Sequence, residues 1–73
     1  MDYERQYHFR HMIDTYKESA INTRDIATIR EGIAFCQGII LVLIATDCAP
    51  DLELYAQHAQ GELFTLWTEI NKE

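Results

Sequence analysis

A chain of 73 residues with one proline, three glycines and 48% apolar content makes a single domain, with enough apolar residues for a small core and too many for a disordered chain. The formal charge is −6, and most of it falls in residues 47–73, where Lys72 alone stands against Asp47, Asp51, Glu53, Glu62, Glu69 and Glu73. No basic stripe is present to neutralise phosphates, which argues against direct nucleic-acid binding, and the opening MDYERQ has neither the basic nor the apolar region of a secretory signal.

The sequence predicts a first helix over residues 3–20. Phe9, Met12, Ile13, Tyr16 and Ala20 recur at spacings of three and four, which lines one face of a helix. The helix is expected to end near Ile21, with Asn22 and Thr23 as N-cap candidates for the next element and Asp25 completing an approximate capping box with Asn22. The face away from the stripe carries Tyr3, Tyr7, Arg10, His11 and Asp14. Tyr and Arg dominate binding hot spots, so this face is the expected partner-binding patch; a frayed terminus or extra dimer contact would use the same residues. His8 and His11 are three apart, a spacing that lets two imidazoles share a metal, with His58 or a cysteine as a further ligand. No carboxylate or cysteine pair stands beside them, so solvent-facing histidines, no metal and no other cofactor are expected.

A second helix is predicted over residues 23–46. Ile26, Ile29, Ile33, Cys36, Ile40 and Leu43 keep a 3-4-3-4-3 spacing, the a and d positions of three heptads. Within it, residues 38–45 read GIILVLIA, apolar in every direction, and must be covered on all sides. The side opposite the heptad stripe carries Ala27, Arg30, Glu31, Ala34, Phe35, Gly38, Leu41, Val42 and Ala45. Two neighbouring helices shield only part of a circumference, and leaving Leu41, Val42 and Ala45 wet forfeits a few kcal/mol, at about 25 cal/mol per Å². A second copy is the expected cover, with Ala34, Phe35, Gly38, Leu41, Val42 and Ala45 as the dimer interface; a different chain would serve equally. The apolar run is shorter than the roughly 20 residues that span a bilayer, so no membrane association and a cytoplasmic location are expected. Cys36 and Cys48 would lie about 18 Å apart along one helix, beyond disulfide reach, which fits reduced thiols.

A third helix is predicted over residues 50–71. Pro50 suits its first turn, Asp51 and Glu53 favour its positive end, and Leu52, Ala56, Ala59, Leu63, Leu66 and Ile70 form its stripe. The central alanines invite close approach by helix 2. Phe64 and Trp67 lie beside the stripe and are expected to extend the dimer core, while Leu54 points away. Cys48 precedes this helix, whose dipole would lower a thiol pKa, but no sequence neighbour resembles a general base.

Residues 40–57, ILVLIATDCAPDLELYAQ, resemble the strand–turn–helix of the ribosomal and kink-turn RNA-binding family. The resemblance implies a buried strand over residues 39–45. That family's fold needs more chain than 73 residues, and its members are usually basic where this chain is acidic. The residues themselves read as an all-α protein, a single domain over 1–73 built as a three-helix unit and paired into a homodimeric helical bundle. No Gly-rich phosphate loop, nucleophile elbow or metal-ligand cluster is present in the sequence, so it is not expected to be an enzyme. The expected function is that of a small acidic protein-binding regulator. It would be an inhibitor or anti-activator, of the form phages and mobile elements encode, that occludes a partner's surface. The competing readings are a non-catalytic structural or adaptor subunit of a hetero-complex and a histidine-based metal regulator.

Overall fold

The computed structural model describes residues 3–46 and 49–72, which form three helices: α1 Tyr3–Thr23, α2 Ile26–Thr46 and α3 Pro50–Lys72. The strand that the resemblance implied over 39–45 is absent; these residues continue α2, as their heptad spacing predicts. A run of Ile, Leu and Val suits a strand only where other strands can pair with its backbone, and the described residues contain none. The three helices make an elongated all-α bundle of 41 × 19 × 15 Å, with α2 packed against both α1 and α3.

The α1–α2 connection differs from expectation. Asn22 and Thr23 belong to α1, which closes with a 2.9 Å hydrogen bond from the Arg24 amide to the Ala20 carbonyl. Arg24 then takes a left-handed conformation (φ 52°), the geometry that ends many helices, usually on glycine. Asp25, not Asn22, caps α2: its carboxylate accepts from the Thr28 amide at 3.3 Å and the Thr28 hydroxyl at 3.0 Å. The helix therefore starts at Ile26 rather than at residue 23. α3 starts at Pro50 as expected, with the Glu53 amide bonded to the Ala49 carbonyl at 3.0 Å.

The core consists of Ile13 and Ala20 from α1, Ile29, Cys36, Ile39, Ile40 and Leu43 from α2, and Leu52, Ala56, Ala59 and Leu63 from α3, with Ala49 between helices. All three predicted stripes face this core, with two exceptions on α2. Ile26, the first residue of α2, is 38% exposed, and Ile39, which the heptad pattern omits, is buried. The reason is geometric: α2 lies between two helices, so its buried arc is wider than the seam that a single partner would cover.

Gly32 is buried between both neighbouring helices. A Cβ there would lie 3.0 Å from Leu63 Cδ1 of α3 and 3.7 Å from Tyr16 Cβ of α1. The glycine trades helix propensity for close approach of both neighbours. Gly32→Val is expected to lower stability in urea unfolding by about 2 kcal/mol through overpacking. A loss too small to measure would show that the helices do not converge on this residue.

Candidate functional site

Two surfaces carry the side chains that the bundle does not use. The first lies at the α1–α3 seam. α1 and α3 run parallel, each antiparallel to α2, so side chains meet in the same order along the seam: Lys17 Nζ reaches Glu62 Oε2 at 2.7 Å, and further toward the N-termini Arg10 and Asp14 meet Tyr55. The Tyr55 hydroxyl donates to Asp14 Oδ1, and the Arg10 guanidinium sits 5.1 Å from the centre of the Tyr55 ring. This hydrogen bond to a carboxylate holds the phenol in its protonated form. With partial burial, it raises the Tyr55 pKa above the ordinary 10.0.

The predicted partner face is thereby divided. Arg10 and Asp14 tie α1 to α3, whereas Tyr3 and Tyr7, at 84% and 69% exposure, and the exposed His11 project outward. Tyr3, Gln6, Tyr7 and Arg10 line a cleft of about 180 Å³ closed on its far side by Asp51, from the first turn of α3. The tyrosines and the acidic end of α3, separate surfaces in the sequence, share one corner of the fold. Tyr55 has no counterpart in the sequence reading. It flanks the α3 stripe beside Ala56, and only the parallel packing of α1 on α3 brings it to Asp14.

The second surface is the outer side of α2. Leu41, Val42 and Ile44 are 57%, 56% and 58% exposed, and Ala34, Gly38 and Ala45 are exposed with them. Phe35, assigned to the same surface from the sequence, is half-buried: its ring stacks on Tyr16 of α1 at 4.6 Å between centres. It forms the wall of a groove of about 350 Å³ between α1 and α2, lined by Phe9, Ala34, Phe35, Gly38, Ile39, Val42 and Leu43, all without charge. A second groove, between α2 and α3, places Phe64 and Trp67 beside Ile33, Ala34 and, at its end, Arg30, with the Gln60 amide donating to Gln37 Oε1 across it at 2.8 Å. Gly38 has nothing within 4 Å of an added Cβ, unlike Gly32. It costs α2 about 1 kcal/mol of helix propensity relative to alanine with no packing return inside the chain. Gly61 of α3 is equally open but lies among Gln57, His58, Glu62 and Thr65.

Residues Ile26–Ala45 together have the length and mean hydropathy (1.7) of a helix able to cross a membrane, although the run 38–45 alone is too short. A third of the stretch is buried within the bundle.

Among the described residues, no three His, Cys, Asp or Glu side chains gather as a metal site, and His8, His11 and His58 are exposed. Cys36 is fully buried, and burial pushes its thiol pKa up, away from the reactive thiolate. Cys48 and its suggested activation lie outside the described residues. No protein-family model matches the chain, and comparison with curated proteins and with solved structures returns no match.

The raised Tyr55 pKa fixes the sign of an alkaline effect. A group protonated more tightly in the fold contributes stability that is complete below its unfolded value near 10 and is lost as pH rises through the higher folded value. Unfolding free energy should therefore fall more steeply above about pH 10 in the wild type than in Tyr55→Phe, which should cost about 1 kcal/mol at neutral pH. Parallel profiles would remove Tyr55 as the link between α1 and α3.

Proposed function

We propose that the protein is a non-catalytic, protein-binding regulator. It acts by laying the α1–α3 corner, with Tyr3 and Tyr7 at its centre, over a basic surface of another protein. The observation that carries this reading is the exposure of two large aromatic side chains on a helix held in place by the Arg10–Tyr55–Asp14 contact. Tyrosine has few side-chain torsions to fix on docking, and it is among the residues that dominate interface energetics. The cleft itself sets Arg10 against Asp51, so the preference for Lys and Arg on the partner comes from the chain's net charge of −6 and from the affinity of such cations for tyrosine faces. Inhibition or anti-activation by occlusion follows from this form, since a small domain that covers a basic site displaces whatever else uses it.

The membrane reading of α2 is less favoured. Its Ile29, Cys36, Ile40 and Leu43 side is already covered by α1 and α3, and a bilayer would have to accommodate the charged outer faces of those helices as well as Arg30 and Glu31.

The test is affinity capture from the native host followed by mass spectrometry, with Tyr7→Ala and Leu54→Ala compared against the wild type. A specific partner should be retained by the wild type and by Leu54→Ala, whose changed side chain is exposed on another face of α3. Tyr7→Ala should bind at least about tenfold more weakly, as expected for a hot-spot aromatic. Equal retention by Tyr7→Ala would exclude this corner.

A further inference from the structure

The outer side of α2 is accounted for by neither the bundle nor the α1 corner. Residues 32–46 contain no charged side chain, in a chain whose net charge is −6. This is the one long stretch along which two copies can meet without setting like charges against each other. Leu41, Val42, Ile44, Phe64 and Trp67 keep between 39% and 58% of their surface in water. For side chains of this size that is on the order of 500 Å² of mostly apolar area per chain, the size of the largest apolar patch on an ordinary monomer, which is often a functional surface. Two such faces together bury on the order of 1,000 Å², the size at which specific interfaces begin.

We propose that α2 is the interface of a two-fold homodimer in which two copies of the helix cross antiparallel at Gly38. The antiparallel direction follows from charge: a parallel pairing sets Arg30 beside Arg30 and Glu31 beside Glu31 at one end, whereas the antiparallel pairing sends them to opposite ends. The register follows from side-chain size. With the two Gly38 residues level, Val42 of one copy is level with Ala34 of the other, so a bulky residue meets a small one twice by symmetry. The open space around Gly38 is then where the two backbones come closest, and the grooves on either side of α2 receive the flanking apolar side chains of the second copy. The tyrosine corner, on the far side of each subunit, stays free, so this dimer is independent of what that corner binds.

The test has two arms. Sedimentation equilibrium across the micromolar range should give twice the 8.5 kDa chain mass for the wild type. A Leu41→Ser/Val42→Ser variant, folded by circular dichroism, should dimerise at least about tenfold more weakly. In a Cys48→Ser background, Gly38→Cys should oxidise to a disulfide-linked dimer, while Ala45→Cys, carried about 20 Å from its counterpart by the antiparallel arrangement, should not. A wild-type monomer throughout that range, or a dimer indifferent to the serine substitutions, would overturn the interface. Cross-linking at Ala45→Cys as readily as at Gly38→Cys would overturn the antiparallel register.

Discussion

The structure depends on the enclosure of α2 by only two other helices. An element that is apolar around most of its circumference, placed between α1 and α3, buries an arc running through Ile29, Gly32, Cys36, Ile39, Ile40 and Leu43, with Ile33 and Phe35 partly buried at its edges. The buried arc supplies the apolar area that lets so short a chain fold, with Gly32 setting how near the three helices come. The uncovered arc, with Leu41 and Val42, follows from the same arithmetic. A fourth helix would cover it; among the described residues there is none, and this side stays exposed.

The placement of α1 follows from this arrangement and shapes the other surface. Because α1 and α3 both run antiparallel to α2, they lie parallel to each other, and their N-terminal ends share one corner of the bundle. The contact of Tyr55 with Asp14 and Arg10 fixes that corner, and Tyr3 and Tyr7 stand out from it. Arg10 and Asp14 thus contribute to the corner by holding α1 against α3 more than by projecting from it. The α1–α3 seam lies across the bundle from the outer side of α2, so the proposed self-association and the proposed partner binding use separate surfaces.

The parts of this arrangement that follow local periodicity were legible in the sequence. The α1 and α3 stripes, Pro50 at the start of α3, and the outward direction of Ala34, Gly38, Leu41, Val42 and Ala45 all come from spacings of three and four. What escaped depends on where the other helices sit. Ile39 is buried because α2 has two neighbours rather than one, and Ile44, absent from both predicted faces, is exposed. Phe35 stacks on Tyr16, a contact set by the position of α1. The α1–α2 boundary moved because Asn22, Thr23 and Asp25 are all competent caps, and the choice rested on Arg24 accepting a left-handed backbone, for which arginine gives no signal. Tyr55 and Asp14 are 41 residues apart and carry no pattern that links them.

The most direct test of the two-faced helix is the rate of thiol alkylation at Cys36 and at a cysteine introduced by Leu41→Cys, each followed in a Cys48→Ser background over a range of protein concentrations. Cys36, buried with its thiol pKa raised, should react only through unfolding and therefore far more slowly than position 41 in dilute protein. The cysteine at position 41 should react quickly in dilute protein and become protected as concentration rises. Fast reaction at Cys36 under native conditions would contradict the buried face. A rate at position 41 that ignores concentration would contradict the claim that the outer face of α2 is completed by a second copy.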